Sequence, residues 1–296
     1  MATVLAVTPN TLVDLLAEVA MVPGAVNRVR RFAAMAGGKG MNTGRVLARH
    51  GHRVLGVGFA GGDSGRRYRE LIVADGIEPC LVPTRAPTRV GFPAVDPVRG
   101  GTTALLEGGF PVEPEEVDAF VAEVARRLPG VDLALIGGSV PDPAADDLVR
   151  RCLDLCTAAG VPCWVDSYGP AMDRALAAAR PPRVVKPNRE EFGSGRGWRA
   201  CPEIHVTDGP NPILVHLPGR RLRVRPPAVR EVNPIGSGDS YVAGLAHARL
   251  SGWPLEEQVR YAAAAGAANA ARADVARVGP EDIRALIPGV CVEKDE

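Results

Sequence analysis

The chain has 296 residues, 46% hydrophobic and 23% charged, and its 35 basic and 34 acidic residues leave a net charge of +1. That balance excludes a partner held by bulk charge, so neither nucleic acid nor an anionic membrane is expected. No apolar run reaches the ~20 residues of a membrane span, and no basic stretch precedes the first apolar residues, so a cytoplasmic protein is the expectation.

Short runs of Val, Leu and Ile predict buried strands, and 3.6-residue periodicity predicts the helices between them. The order begins with a strand at 3–7, a non-helical stretch at 11–36, a helix at 41–50, a strand at 54–57 and a helix at 64–75. A second non-helical stretch at 87–108 leads to a helix at 114–128 and a strand at 133–136. A helix at 144–159, a strand at 162–165, a helix at 171–178 and a strand at 184–185 complete the alternation. Strand-like pieces at 204–207, 213–217 and 222–225 follow, then helices at 238–250, 255–271 and 280–287. Strand–helix alternation predicts an α/β domain over 1–296 with a mostly parallel sheet. The stretches at 11–36 and 87–108 each follow a sheet strand and carry Pro and Gly. They are expected to form a small β lid over the carboxyl edge of the sheet, because long loops in a compact domain usually have a function.

Six cysteines form no CxxC pair, and Cys152 and Cys156 share an apolar helical stripe, where cysteine acts as a small hydrophobe. Only three of the 35 basic residues are Lys, namely Lys39, Lys186 and Lys294. A chain that otherwise uses Arg has placed a compact ammonium at few positions, and two of them lie in motifs.

The first motif is Ala36-Gly37-Gly38-Lys39-Gly40-Met41-Asn42, just before a helix. Gly37, Gly38 and Gly40 let backbone N–H groups approach a ligand. The helix start and Lys39 add positive charge, and Asn42 can turn its amide back toward the ligand. GxxxxGK[ST] spacing is absent, so this is no P-loop; a glycine loop that only turns the chain is the plainer alternative. The second is Asn233-Pro234-Ile235-Gly236-Ser237-Gly238-Asp239-Ser240. Small residues at a helix start expose several N–H donors to one point, an anion hole. Asp239 beside it can take a proton from a hydroxyl or simply serve as a first-turn acid. The third is Lys186-Pro187-Asn188-Arg189-Glu190-Glu191. Asn188 and Glu191 share a helix face and can orient Mg²⁺ or its waters, or merely make a polar helix start. A GxGxxG match at 56–61 does not open the first βα unit, which argues against a dinucleotide site.

Together the motifs resemble the PfkB family of sugar kinases, which have a ribokinase-like three-layer α/β/α fold, and most of all its 1-phosphofructokinase and tagatose-6-phosphate kinase branch. Thr8, Asn10 and Asp14 match the family's opening motif, and Pro23 to Arg28 with Gly37 to Asn42 look like its lid segment and first signature. Thr88 and Arg89 match a lid strand whose arginine meets the substrate phosphate. Gly138, Ser139, Val140 and Pro141, and Asp166 with Gly169, match mid-chain motifs. Lys186, Asn188 and Glu191 resemble a KPNxxE segment, and 233–240 resembles the second signature. The chain departs from the pattern by a short 189–206 segment, by Pro212 in place of a glycine and by Leu106 before Glu107.

The resemblance implies ATP and Mg²⁺ and transfer of the γ-phosphoryl group to a hydroxyl of a ketohexose phosphate. It makes Asp239 the base and Gly236, Ser237 and Gly238 the anion hole. Asp14, Gly37, Gly38, Lys39, Asn42, Arg89 and Ser139 would bind the sugar phosphate, with Lys39 and Arg89 on its phosphate. Lys186, Asn188, Thr207, Gly209, Gly236, Gly238 and Asn269 would bind the nucleotide, and Glu191 the metal. Leu12, Leu15, Leu16, Val19, Val90, Phe92 and Val95 suggest an apolar lid face that pairs in a homodimer. Two rival readings stay open: a kinase of an unphosphorylated sugar or nucleoside, against which the Lys39, Arg89 and Arg28 cluster speaks, and a sugar-phosphate sensor, which has no use for an acid beside an anion hole.

Overall fold

The computed structural model describes residues 1–193 and 197–295. In chain order its elements are β1 (Thr3–Thr8), β2 (Leu12–Glu18), β3 (Ala33–Gly37), α1 (Lys39–Arg49), β4 (Arg53–Ala60), α2 (Gly62–Ala74), β5 (Ile77–Pro83), β6 (Arg89–Val95), β7 (Thr102–Leu106) and α3 (Pro114–Arg127). There follow β8 (Leu133–Gly137), α4 (Leu148–Ala158), β9 (Cys163–Asp166), α5 (Gly169–Leu176), β10 (Val184–Val185) and α6 (Arg189–Gly193). The last third holds β11 (Glu203–Val206), β12 (Ile213–Leu217), β13 (Arg220–Arg225), α7 (Ser237–Leu250), α8 (Leu255–Ala270), α9 (Pro280–Arg284) and β14 (Cys291–Asp295).

Ten strands form the main sheet in the order β14-β13-β12-β11-β10-β9-β8-β1-β4-β5. From β11 to β5 every neighbour runs parallel, and β12, β13 and β14 add an antiparallel edge. Alternate side chains of β1 point to opposite faces, as the pleat requires. Val4 and Ala6 join a core with residues of α1, α2, α7 and α8, whereas Leu5 and Val7 join another with α3, α4 and α5. The result is the three-layer α/β/α arrangement of the ribokinase-like fold, with a smaller second sheet. Helix α7 is buried nearly all round, and a methyl on its Gly244 would come within 2.9 Å of Ala265 on α8. Small residues let those two helices pack closely.

The second sheet has the order β3-β2-β6-β7. It arises from the two non-helical stretches, with β2 parallel to β6 and antiparallel to β3. Its apolar residues are distributed differently from the sequence expectation. Leu12, Leu16 and Val95 are buried within the monomer, because β2 and β6 are its inner strands. Phe92, expected on that face, is exposed, and so are Met21, Val22, Val26, Phe32, Leu105 and Leu106, with Phe32 and Phe92 in an edge-to-face pair 6.1 Å apart.

Other corrections have local causes. The helix expected at 144–159 is broken: Asp142 caps a 3-10 turn at Pro143–Ala145 through the Ala144 N–H (2.8 Å), and α4 starts only at Leu148. The helix expected to 287 ends at Arg284, followed by a 3-10 turn at Ile287–Gly289. The GxGxxG match lies in β4, where a side chain on Gly56 would strike Ile77 and Met41; it is packing, not a nucleotide loop. All six cysteines are free and five are buried. No helix among the described residues is long and apolar enough to cross a membrane.

Candidate active site

Parallel strands deliver their carboxyl ends to one edge, where α/β sheets bind ligands. Asn10 follows β1, Ser139 follows β8, Asp166 ends β9 and Lys186 follows β10. Above them converge the starts of α1 and α7. Their caps are Gly38 (φ 103°) and Gly236 (φ 83°), backbone conformations that favour glycine. Space demands glycine too: a Cβ on Gly38 would lie 2.4 Å from Thr8 Cγ2, and one on Gly236 2.6 Å from Val275 Cγ1.

Packing of α1 on α7 joins motifs 197 residues apart, because Asn42 Nδ2 donates to Asp239 Oδ2 at 2.7 Å. The Thr43 hydroxyl adds a bond to the Asp239 carbonyl (3.3 Å). Asn42 therefore braces Asp239 besides lining the cavity that Lys39 lines. Both ends of its amide are engaged, one by Asp239 and the other by Arg45 Nη1 at 2.9 Å. Burial pushes the Asp239 carboxyl up to about 6, opposed by Lys39, Lys186 and the Asn42 bond and assisted by Asp166. A carboxylate so tuned suits proton abstraction near neutral pH.

Asp166 organises the two motif lysines: its Oδ1 lies 3.0 Å from Lys39 Nζ and its Oδ2 lies 3.4 Å from Lys186 Nζ. Burial works against the Asp166 charge, but the two lysines outweigh it and hold the carboxyl below its ordinary value. Burial likewise opposes the Lys39 charge, and Asp166, Asp239 and Glu191 more than compensate, raising its pKa. Lys39 and Arg89 thus line one cavity from different anchors. Arg89 Nη1 donates to the carbonyls of Glu107 (2.6 Å) and Gly108 (3.3 Å), and Nη2 to that of Asn10 (3.2 Å).

Asp14 faces that cavity from β2, slotted between two glycines. A Cβ on Gly37 of β3 would sit 2.3 Å from one of its oxygens, and one on Gly91 of β6 2.7 Å from the other. Burial pushes the Asp14 carboxyl up to about 6, against the pull of Arg89 and Arg45. Asn10 Nδ2 holds the Ser139 hydroxyl at 2.8 Å. The Asn10 Oδ1 and Arg89 Nε atoms are buried without a partner among the described residues, and both residues line the cavity. Its volume is about 300 Å³.

A second cavity of about 500 Å³ adjoins it and is lined by Asn188, Thr207, Gly209, Ser237, Tyr241 and several Pro and Ala residues. Both cavities are bordered by Lys186 and Gly238, which lie so close that a Cβ on Gly238 would be 3.0 Å from Lys186 Nζ. Asn188 and Glu191 cap each other reciprocally, each side chain accepting the other's backbone N–H at 2.8 Å. Asn269 lies outside the second cavity's lining and instead clips the second motif. Its Nδ2 reaches the Ile235 carbonyl (2.8 Å) and Ser237 Oγ (3.0 Å), and its Oδ1 accepts the Ala276 N–H (2.6 Å).

A group handed from one cavity to the other passes Gly238, where the helix start favours negative charge. That is a geometry for phosphoryl transfer, and the protein is a phosphotransferase acting on a hydroxyl. Comparison with known proteins takes the identification one step further: the model of the pfkB family carbohydrate kinases matches residues 3–281, so the chain belongs to that family. It is 28% identical to a tagatose-6-phosphate kinase of Staphylococcus epidermidis over 263 residues, covering 83% of this chain and 84% of the relative. It is 31% identical to a 1-phosphofructokinase of Rhodobacter capsulatus over 280 residues, covering 87% of each. Among solved structures, a possible 1-phosphofructokinase of Thermotoga maritima superposes with a TM-score of 0.89 at 21% identity, covering 99% of this chain and 100% of the other. The tetrameric inhibited form of Escherichia coli phosphofructokinase-2 gives 0.84 at 22% identity, covering 97% and 99%.

Gly91 and the pairing role of Asp166 escaped the sequence reading. A glycine inside a strand marks close approach of another group, and that signal was available for Gly91.

Proposed function

We propose that this protein transfers the γ-phosphoryl group of ATP to a hydroxyl of a ketohexose phosphate of the fructose 1-phosphate or tagatose 6-phosphate class. The observation that carries this reading is the place of Asp239, a 5% exposed carboxylate at the start of α7 beside the border of the two cavities. Asp239 takes the proton of the acceptor hydroxyl as its oxygen bonds to the γ-phosphorus and ADP leaves. Gly236 and Gly238 hold the charge on the moving group through their N–H donors, while the Ser237 N–H closes the turn on the Pro234 carbonyl at 3.1 Å. Lys39 and Lys186, braced by Asp166, add positive charge at that point.

Asp14, Ser139 and the Gly37–Gly38 backbone orient the sugar, and Arg89 meets the phosphate it already carries. ATP occupies the larger cavity, with Lys186, Asn188, Thr207, Gly209 and Gly238 along it. Asn269 contributes by holding the anion hole. Mg²⁺ usually takes one or two carboxylates together with phosphate oxygens and water. Among the described residues no cluster of three His, Cys, Asp or Glu would hold an ion, and Glu191 beside the nucleotide cavity suits a metal that arrives on the triphosphate. Bound there, Mg²⁺ would offset phosphate charge.

The small sheet acts as a lid that excludes water from the acceptor cavity. Its exposed Phe32, Phe92 and Leu105 support pairing with the lid of a second copy. Light scattering at micromolar concentration should report a dimer that Phe92→Glu splits; a monomer, or a dimer indifferent to the substitution, removes lid pairing. For the reaction, phosphoryl transfer should be screened over fructose 1-phosphate, fructose 6-phosphate, tagatose 6-phosphate, fructose and ribose. Transfer confined to phosphorylated ketohexoses is expected, and faster transfer to a free sugar would overturn the substrate class.

A further inference from the structure

Arg45 takes no part in the chemistry above, yet it is the bulkiest of the fully buried side chains, 1% exposed. A buried cation is costly unless its donors are met, and four of its five N–H groups have partners among the described residues. Nε meets Asp75 Oδ2 at 2.6 Å, and Nη1 meets Asn42 Oδ1 at 2.9 Å and the Val275 carbonyl at 3.3 Å. Nη2 donates to the Ala36 carbonyl. Arg277 occupies the other oxygen of Asp75 at 2.9 Å.

These acceptors are not scattered. Ala36 leads directly into the first glycine motif. Val275 packs where a side chain on Gly236 would be, and the next residue, Ala276, is clipped by Asn269 to the second motif. One guanidinium therefore ties together the supports of both motifs.

Its bond to Asn42 has a chemical consequence. A carboxamide presents an acceptor at one end and donors at the other, and its neighbours decide which way it faces. Arginine can only donate, so it claims Asn42 Oδ1 and leaves Nδ2 toward Asp239, at 2.7 Å. We propose that Arg45 is a positioning residue for phosphoryl transfer, which holds the Asn42 amide in one orientation and so keeps an N–H donor on one oxygen of Asp239 while the other is left for the acceptor hydroxyl. This rests on the reading of Asp239 as the base.

A donor on a carboxylate favours its ionised form, so freeing the amide to rotate should raise the pH at which Asp239 takes a proton. The other charged groups facing Asp239 are Lys39, Lys186 and Asp166; around Arg45 they are Asp75, Arg277 and Asp14. None of these is substituted in the test, and Arg45→Lys keeps the cation that pulls on Asp14.

Arg45→Lys keeps a cation beside Asp75 but lacks the fork that spans Asn42, Ala36 and Val275. Its kcat should fall roughly tenfold, with the KM values within about twofold, and the acid limb of its kcat–pH profile should rise by about one unit. Asn42→Ala should raise the limb similarly, and adding Arg45→Lys to it should raise the limb no further. A merely structural Arg45 would lower the folded fraction and leave the limb in place. An unmoved limb in Arg45→Lys, or equal further movement in the Asn42→Ala background, overturns the proposal. Should Arg45→Lys fail to fold, NMR of the unsubstituted protein decides: contacts from the Asn42 Nδ2 protons to Asp239 support it, and contacts to Arg45 instead overturn it. Asp239→Asn is measured alongside; full turnover there sinks the base and this proposal together. Lost turnover there with an unmoved limb in Arg45→Lys sinks the Arg45 proposal alone.

Discussion

The two cavities that share Gly238 and Lys186 differ in the residues that line them. The smaller is lined by charge and hydrogen-bonding groups, with Asp14, Arg89, Lys39, Asn10 and Asp239 around about 300 Å³. The larger has Asn188, Thr207, Glu231 and Ser237 in its lining too, but adds Pro210, Pro226, Pro227, Pro234, Ala263, Gly266 and Ala267. A pocket of paired charges discriminates by what a ligand must satisfy, since an unmet buried polar group costs about 1–3 kcal/mol. One walled by small and cyclic residues discriminates by fit, where a methyl group is worth about 1 kcal/mol. The acceptor side should therefore be chemically strict and the nucleotide side sterically strict.

Substitutions can break that contrast, and the largest effect is expected at the shared border. Gly236→Ala puts a Cβ 2.6 Å from Val275 Cγ1 at a left-handed position, moving the anion-hole donors. Turnover should fall by roughly 10²–10³-fold with little change in either KM. Steady-state kinetics checks this, and a KM effect without a kcat effect would remove the anion hole from the mechanism. Next comes Arg89→Met, which should weaken phosphorylated ketohexose by about 1.5–3 kcal/mol and leave ATP and free ketohexose unchanged. Equal losses for phosphorylated and free sugars in calorimetric titration would show that Arg89 only braces the carbonyls it already binds. The mildest is Gly266→Ala in the larger cavity, where the new methyl would lie 3.2 Å from the Ser237 carbonyl oxygen. It should raise the KM for ATP several-fold, about 1 kcal/mol, and leave that for sugar alone.

The same contrast governed what could be read from the residues alone. Lys39 and Asp239 stand in glycine-rich loops and are legible by type, whereas Asp14, Arg89 and Ser139 were singled out only through the resemblance to the family; all five line one cavity. Apart from Pro234 in the second motif and Pro210 beside Gly209, the alanines and prolines of the second cavity look like any packing residue and were not singled out. Arg45 was hidden for a related reason: an arginine in a helix reads as surface, and only tertiary contacts reveal it as buried. In the fold, β5 and β14 were overlooked because each is an edge strand. Pro79 and Pro83 are tolerated in β5 on the open side, and the charged residues of β14 suit a strand with one neighbour. The expected helix at 144–159 failed where Asp142 offered the backbone a competing cap.

The central claim is that one buried carboxylate beside the border of the two cavities takes the proton. Its most direct test is the pH dependence of kcat for the unsubstituted protein and for Asp239→Asn. With the carboxyl raised to about 6, activity is present above that pH and lost as pH falls through it, because the protonated acid cannot accept the hydroxyl proton. Asp239→Asn should stay folded, bind both substrates, turn over roughly 10²–10⁴-fold more slowly and lose that acid limb. Turnover within a few-fold of the unsubstituted protein, or the same limb surviving in Asp239→Asn, would contradict it.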